Sequence, residues 1–297
     1  MKSRIISGVI MAILILGLGA LGSYPLYAMI MLCSVIGYME LTAILCPPPG
    51  ARKRKEIRNW NSVPDLLAMP GLILSVVYYA GLMYIEWNYG AVNLPALVNK
   101  ADFWAMMLLA LDFLLTMAVY VYTFPRRRSA QATGAVTAFL YGPVLLSYVC
   151  RTRALPYGIF LYLLIYVCSS VSDVCALAAG MAIGRHKLAP VLSPKKTVEG
   201  AVGGVLGSTA VSCLVALLLR RFYPGLDALV LFGMIGVFGS IISQTGDLAA
   251  SAIKRNHGIK DYGNLIPGHG GIMDRFDSVI FTAPVIYYLS FLLMNRL

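Results

Sequence analysis

Residues 228–249 read ALVLFGMIGVFGSIISQTGDLA, a predominantly apolar run with a single carboxylate, Asp247, near its end. A run of this length can cross a hydrocarbon layer of about 30 Å as an α-helix. Mean hydropathy is +0.77, and only 12% of the residues are charged. Similar runs occur at about 5–22, 24–45, 66–85, 103–124, 132–149, 157–183, 199–219 and 278–294. The pattern predicts an all-α, polytopic membrane helix bundle of about nine transmembrane helices.

The charge distribution indicates how these helices are oriented. Lys and Arg number 24 against 13 Asp and Glu, which gives a net charge of +11. If the N-terminus is cytoplasmic and nine spans follow, most of the cations fall in cytoplasmic loops, as the positive-inside rule requires. The basic excess therefore indicates topology and attraction to the lipid bilayer, and no nucleic acid is expected as a partner. We expect an integral protein of the cell (inner or plasma) membrane, with the C-terminus outside and the polar motifs facing the cytoplasm.

The ionisable groups divide the chain into two regions. Residues 1–150 are expected to form about five transmembrane helices with little clustered chemistry. Residues 151–297 are expected to form about four helices and a catalytic region, with a cytoplasmic loop at 250–277. The composition thus predicts that function is concentrated in the second region.

Besides Asp247, three acids lie well inside other apolar runs. Asp173 follows Ser172 in the sixth run, and Glu40 and Asp112 lie in earlier ones. Ionisable residues at membrane depth are costly and are candidates for function. Asp173 is the strongest of the three, because Glu40 and Asp112 can serve simply as hydrogen-bonding groups between neighbouring helices.

The end of the quoted run carries a possible binding stripe. Asp247, Ser251, Lys254 and Arg255 have offsets of 0, 4, 7 and 8, so a helix that continues this far places them on one face. A carboxylate and two cations on one stripe can bind a metal ion and a phosphate together. The alternative is a ladder of salt bridges at a helix end, with the cations reaching the membrane interface.

A glycine-rich segment follows, and it leads into a second group of charges. Residues 263–271 contain four glycines that permit close backbone approach, and Asp274, Arg275 and Asp277 come directly after them. Carboxylate oxygens without a His or Cys cluster favour Mg²⁺ or Mn²⁺. The alternative is that these acids only stabilise the positive end of the last helix.

The segment before the seventh run predicts a phosphate site. Ser193 is expected to cap a helix whose first residue is Pro194. Lys195 and Lys196 would then lie in the first turn, where free N–H groups and cations can bind an anion together. The alternative is an attraction of these lysines to lipid headgroups.

These residues resemble a known family. Residues 251–277 follow the pattern S-x-I-K-R-x4-K-D-x-G-x2-I-P-x-H-G-G-I-x-D-R-F-D, which is similar to the full signature of the phosphatidate cytidylyltransferases (CDP-diacylglycerol synthases). Residues 193–200 and 173–185 resemble the upstream motifs of that family. The resemblance implies transfer of a cytidylyl group from CTP to phosphatidic acid, with release of pyrophosphate, by an integral membrane protein. It also implies a requirement for Mg²⁺, a contribution from a monovalent cation such as K⁺, and a homodimer.

The resemblance also assigns roles to residues of this chain. By motif, Asp247 and Asp274 would bind the metal. The chemistry of the reaction adds two further catalytic candidates, Asp277 to assist or orient and Lys254 to bind the triphosphate. The residues expected to contact the substrates are Asp173, Ser193, Lys195, Lys196, Thr197, Ser251, Arg255, Lys260, Asp261, His269, Gly270, Gly271 and Arg275.

Two other functions remain open at this point. A CTP-dependent lipid kinase would transfer the γ-phosphate and would need a base to activate an alcohol. A transporter could use Glu40, Asp112 and Asp173 as a relay, but the sequence lacks the internal repeats typical of such proteins. The complete signature favours the cytidylyltransferase.

Overall fold

The computed structural model describes residues 13–47, 65–90, 93–223, 228–266 and 270–294. Eight helices in this part of the chain are long and apolar enough to cross a membrane. They are α1 (Ser23–Leu45), α2 (Leu66–Tyr89), α3 (Leu94–Thr123), α4 (Ser129–Arg153), α5 (Gly158–Ile183), α6 (Val198–Phe222), α7 (Leu229–Asn256) and α8 (Met273–Met294). The predicted all-α membrane bundle is confirmed.

Eight of the nine predicted spans correspond to these helices. The first, 5–22, is described only from residue 13 onward, and residues 13–21 are helical. The largest difference is in α3, which begins nine positions before the predicted start at 103. Asn93 causes the early start, because its side chain accepts a hydrogen bond from Ala96 N (3.0 Å) and Pro95 follows in the first turn.

Two of the helices contain a π turn. In α4 it covers Leu140–Val144, which includes Pro143, and in α5 it covers Val167–Val171. A π turn adds a residue to the helical repeat and is frequent near functional sites. In α5 the turn ends immediately before Ser172 and Asp173, at the point where the apolar run of the sequence is interrupted.

The chain divides into two compact units. Unit 1 contains residues 1–150 and 257–276, and unit 2 contains residues 151–256 and 277–297. Much of the polar loop, 257–276, belongs to unit 1.

Buried tyrosines form much of the core of unit 1. Tyr38, Tyr78 and Tyr79 are fully buried. Each hydroxyl has a partner: the Tyr79 hydroxyl lies 2.6 Å from Ser34 Oγ, Tyr78 lies 2.9 Å from Ser147 Oγ, and Tyr38 donates to Ala68 O (3.1 Å). These hydrogen bonds allow large polar aromatics to fill the interior without leaving donors unpaired.

Small residues bring the helices of unit 2 close together, as the glycine spacing predicts. Helix α6 packs against α5 and α7. A Cβ atom added at Gly203 would lie 2.4 Å from the Cβ of Ala179, and one at Gly207 would lie 2.4 Å from Cys175 Sγ. Glycine at these positions is therefore a requirement of the α5–α6 contact.

A short antiparallel hairpin precedes α6. Its strands are β1 (Lys187–Ala189) and β2 (Ser193–Thr197), with Lys187 opposite Thr197 and Ala189 opposite Ser193. The predicted helix start at Ser193 and Pro194 is therefore wrong. Helix α6 begins at Val198, and Thr197 caps it by accepting a hydrogen bond from Gly200 N (3.1 Å). Pairing with β1 outweighs the local helix-start signal, and proline is tolerated at the edge of so small a sheet.

Candidate active site

Unit 2 contains a cavity of about 580 Å³ whose wall includes parts of the hairpin, α5, α6 and α7, together with Asp277 of α8. Three acids and two bases contribute to the wall. They are Asp173, Asp247, Asp277, Lys195 and Lys196. These residues come from four separate segments of the sequence, so the fold assembles the charged wall from distant parts of the chain.

The closest charge pair in this wall joins the hairpin to α7. Lys196 Nζ forms an ion pair and hydrogen bond with Asp247 Oδ2, and both side chains remain partly exposed. Asp173 on α5 lies near enough to interact electrostatically with both of them. An ion pair that is partly exposed to solvent costs little free energy to break. Lys196 can therefore leave these acids and bind a phosphate group instead.

Asp277 occupies a more enclosed part of the cavity wall. Its Oδ2 lies 4.0 Å from Lys254 Nζ, and its Oδ1 accepts a hydrogen bond from Ser278 N (2.8 Å). Lys254 itself is buried, unlike Arg255, which is exposed. Lys254 therefore supports the acid that borders the cavity.

An amide that sequence reasoning missed also borders the cavity. Gln244 Nε2 donates to Ser172 Oγ (3.2 Å) and to Ala201 O (3.1 Å), which links α7 to α5 and α6. Gln244 precedes Asp247 by three residues on the same helix, so the link orients the segment that carries Asp247. An amide within an apolar run was the only signal in the sequence, and its partners are distant along the chain.

Part of the cavity lining is apolar. Leu177, Met181 and Leu188 contribute to it, and Leu177 and Met181 are 64% and 74% exposed. Both side chains lie on α5, a helix suited to crossing a membrane. The cavity thus combines a charged wall with apolar side chains that lipid can contact.

In unit 1 the polar loop is held by a buried acid. Asp274 is 6% exposed, and its Oδ2 accepts hydrogen bonds from Tyr262 N (2.7 Å) and Gly271 N (3.0 Å). Gly270 has a φ of 84°, a value that favours glycine, and its carbonyl accepts from Ile266 N (2.9 Å). Asp274 thus has a clear role in shaping this loop.

A second acid of unit 1 acts on the same segment. Glu40 of α1 accepts hydrogen bonds from Ile272 N (3.0 Å) and Met273 N (2.9 Å). The sequence marked Glu40 only as a weak candidate for contacts between helices. Two features together could have identified Glu40. It is the single acid of its apolar run, and the sequence also contains a glycine-rich loop whose backbone N–H groups need acceptors.

Comparison with known proteins identifies the family of this chain. A family model described as "Cytidylyltransferase family" matches residues 2–293. The chain belongs to the cytidylyltransferase family. The match covers nearly the whole chain, including the described helices of both units.

Several curated relatives carry a more specific name. The phosphatidate cytidylyltransferase of Bacillus subtilis is 31% identical over 293 residues, which cover 97% of each chain. The protein of the same name from Staphylococcus saprophyticus is 35% identical and covers 79% of this chain and 84% of its own. That of Synechocystis is 45% identical over 139 residues, 47% of this chain and 46% of its own. The resemblance noted in the sequence is confirmed.

The predicted site residues divide between the two units. The cavity of unit 2 brings together Asp173, Ser193, Lys195, Lys196, Thr197, Asp247 and Asp277. Ser251, Lys254 and Arg255 lie on the last turns of α7, which continues to Asn256. Lys260, Asp261, Gly270, Gly271, Asp274 and Arg275 belong to unit 1, and Lys260, Asp261 and Arg275 are exposed. His269 lies outside the described residues.

The acids of the cavity suit a hard divalent cation. Across the residues that the structure describes, no three His, Cys, Asp or Glu side chains converge into a ready-made metal centre. Mg²⁺ does not need one, because it binds through one or two carboxylates together with water and substrate phosphates. The donor chemistry of Asp247, supported by Asp173 and Asp277 in the same cavity wall, therefore fits Mg²⁺ in the presence of a nucleotide.

Proposed function

We propose that this protein transfers the cytidylyl group of CTP to phosphatidic acid, producing CDP-diacylglycerol and pyrophosphate for phospholipid biosynthesis. Membership of the cytidylyltransferase family and relatives named phosphatidate cytidylyltransferase over most of the chain support this activity. The observation that carries the proposal is the cavity of unit 2, which is lined both by lysines and carboxylates and by apolar side chains of a membrane helix. Such a lining suits one substrate that is water-soluble and one that is a lipid.

The lipid substrate accounts for the apolar side of the cavity. Leu177 and Met181 are exposed on α5, so acyl chains within a bilayer can lie against them. Lys195 and Lys196 of the hairpin border the same cavity and can bind the phosphate headgroup. The phosphate headgroup of phosphatidic acid is close to its acyl chains. One cavity with both cationic and apolar lining residues can therefore contact both parts of the lipid.

The chemistry requires little from the protein beyond position and charge. A phosphate oxygen of phosphatidic acid attacks the α-phosphorus of CTP, and the bond from that phosphorus to the bridging oxygen of pyrophosphate breaks. The nucleophile is already anionic at neutral pH, so no general base is needed. Lys195 and Lys196 offset the negative charge of the two phosphates as they approach, and Gln244 holds the segment that carries Asp247.

A divalent cation would supply further charge neutralisation on the phosphate oxygens and on the leaving pyrophosphate. We propose Mg²⁺, with Mn²⁺ as a substitute, held by Asp247, while Asp277 assists in orienting the phosphates. Asp274 is retained as a second metal ligand on the strength of the family resemblance. Its Oδ2 already binds two backbone N–H groups, so its contribution includes shaping the loop. A role for K⁺ and a homodimer remain predictions of the resemblance.

The proposed orientation places the cavity on the cytoplasmic side of the cell membrane, where CTP is available. The basic residues of the predicted cytoplasmic loops support this orientation. Cysteine-accessibility labelling of a Val191→Cys variant at the exposed tip of the hairpin tests it in inside-out and right-side-out vesicles. Because the native cysteines can also react, the same labelling of the unsubstituted protein is the control.

The decisive assay uses purified protein in phosphatidic acid micelles with Mg²⁺ and CTP labelled at either the α- or the γ-phosphate. Transfer of the α-label to lipid, with release of pyrophosphate, is the expected result, and chelation of divalent cations should abolish it. Transfer of the γ-label instead would make the protein a lipid kinase. Movement of a solute across the membrane without CTP would favour a transporter.

A further inference from the structure

Glu40 is a buried acid in the region of the sequence that has little clustered chemistry. It is 1% exposed and lies in α1. Each carboxylate oxygen accepts one backbone hydrogen bond, Oε1 from Ile272 N and Oε2 from Met273 N, at 3.0 and 2.9 Å. These N–H groups are at the start of α8, where the helix dipole stabilises negative charge. Glu40 therefore fastens this segment to α1 across 232 positions of sequence.

Asp274 holds the same segment through a different pair of N–H groups. Its Oδ2 binds Tyr262 N and Gly271 N, so the two acids together fix four backbone groups of the loop. Buried backbone donors that lose such acceptors are left unpaired, and this is costly. The backbone around Gly271 is consequently held from both sides.

Two glycines of the loop leave space for the Glu40 carboxylate. A Cβ atom added at Gly271 would have three Glu40 atoms as its nearest neighbours, at 2.4, 2.5 and 2.6 Å. One added at Gly263 would lie 2.5 Å from Glu40 Oε1. Gly271 does not have a positive φ, unlike Gly270 with its φ of 84°. The lack of a side chain at Gly271 is therefore explained by the Glu40 carboxylate and not by backbone conformation.

We propose that Glu40 is a positioning residue for the cytidylyl transfer. It holds residues 270–274 in the conformation that presents Asp274 and Arg275 for their roles in the reaction. The catalytic part of this inference rests on the proposed function, whereas the hold on the loop does not depend on it. This inference gives the N-terminal half of the chain a direct part in preparing the site.

The first test measures amide hydrogen exchange of the full-length protein in detergent micelles. In Glu40→Gln, an amide NH₂ group replaces one acceptor, so we expect exchange to accelerate by about tenfold or more in peptides covering 270–274. Asp112→Asn is the matched control, because Asp112 is also a buried helix acid of unit 1 and has no hydrogen bond to the loop. We expect Asp112→Asn to leave exchange in this segment unchanged. Unchanged exchange in Glu40→Gln, or an equal acceleration throughout unit 1, would overturn the proposal.

The second test is a double-mutant cycle measured as kcat/KM. Gly271→Ala should lower kcat/KM by about tenfold or more in the natural background and by less than about twofold in Glu40→Ala, because the clash has been removed. Gly270→Ala should cost the same in both backgrounds, because its strain comes from φ. Equal costs for Gly271→Ala in both backgrounds would contradict the proposal.

A kinetic comparison separates positioning from a general loss of folded protein. In Glu40→Gln we expect kcat to fall by about 10- to 100-fold with little change in KM for phosphatidic acid, because the lipid-binding residues of the cavity are unaltered. A fall in the amount of active protein with unchanged kcat per active molecule would contradict a positioning role. If the natural protein transfers no α-label but the exchange result holds, the hold on the loop stands and the proposed function fails.

Discussion

The cavity of unit 2 and the polar loop of unit 1 use acidic side chains in opposite ways. In the cavity, Asp247 is partly exposed and pairs with a lysine side chain. In the loop, Asp274 and Glu40 are buried and accept hydrogen bonds from backbone N–H groups. A side-chain ion pair can open to admit a ligand, whereas a backbone donor that loses its buried acceptor is left unpaired. An acid paired with a side chain, such as Asp247, is therefore suited to binding substrate. Acids paired with backbone N–H groups, such as Asp274 and Glu40, are suited to holding the loop in its conformation.

The largest expected effect is that of Asp247→Asn. Loss of this charge removes the partner of Lys196 and the proposed metal ligand, so we expect transfer of the α-label to fall by about 10³-fold. Hydrogen exchange in 270–274 should stay at the natural rate, because the backbone N–H groups of that loop bind Glu40 and Asp274. Natural rates of transfer in this variant would remove Asp247 from the proposed chemistry.

Asp274→Asn should also abolish most turnover while the protein stays folded, with a loss of about 10²- to 10³-fold. In contrast to Asp247→Asn, it should accelerate exchange at Tyr262 and Gly271, because their N–H groups bind the Asp274 carboxylate. Wild-type transfer rates would contradict the catalytic assignment. Normal exchange at Tyr262 and Gly271 would contradict the structural one.

Lys196→Ala tests the charged wall of the cavity. We expect kcat/KM to fall by about 100-fold, since the variant loses a cation that offsets phosphate charge. Lys187→Ala is the matched control, because Lys187 is an exposed lysine of the same hairpin that does not border the cavity. An equal effect of the two substitutions would mean that the hairpin contributes only general positive charge.

The smallest expected effect concerns the apolar wall. Leu177→Asn should raise KM for long-chain phosphatidic acid by about tenfold and leave KM for CTP unchanged, because a polar group replaces an acyl-chain contact. Val174→Asn is the control, since Val174 is similarly exposed on α5 but does not border the cavity. If both variants change KM for phosphatidic acid equally, the effect comes from the general contact of α5 with the bilayer and not from the cavity.

The sequence predicts the helices well because membrane helices depend on local composition. Apolar length alone located the eight described spans. It did not locate the end of α7, which continues seven residues beyond the predicted end at 249. The same sequence identified Asp173, Lys195, Lys196, Asp247 and Asp277 as candidates, and the fold gathers these five around one cavity. Polar residues at membrane depth are costly, which makes them conspicuous.

Features that depend on distant partners could not be predicted. Ser193 and Pro194 are a strong local helix-start signal, but pairing with Lys187–Ala189 makes this segment a strand. The importance of Glu40 depends on residues 232 positions away, and that of Gln244 depends on Ser172 and Ala201. Local patterns contain no record of such contacts, so the residues of the site were easier to predict than the contacts that support them.

The central claim is that one cavity of unit 2 receives both the lipid and the nucleotide. A phosphatidic acid with a photoreactive group in its acyl chain, used with the full-length protein in vesicles, tests this most directly. We expect cross-links in the part of α5 that contains Leu177 and Met181, and we expect Leu177→Asn to reduce them. We also expect CTP bound at the same time to shield Lys196 from amine modification. Cross-links confined to other helices, or modification of Lys196 that CTP does not change, would contradict the account.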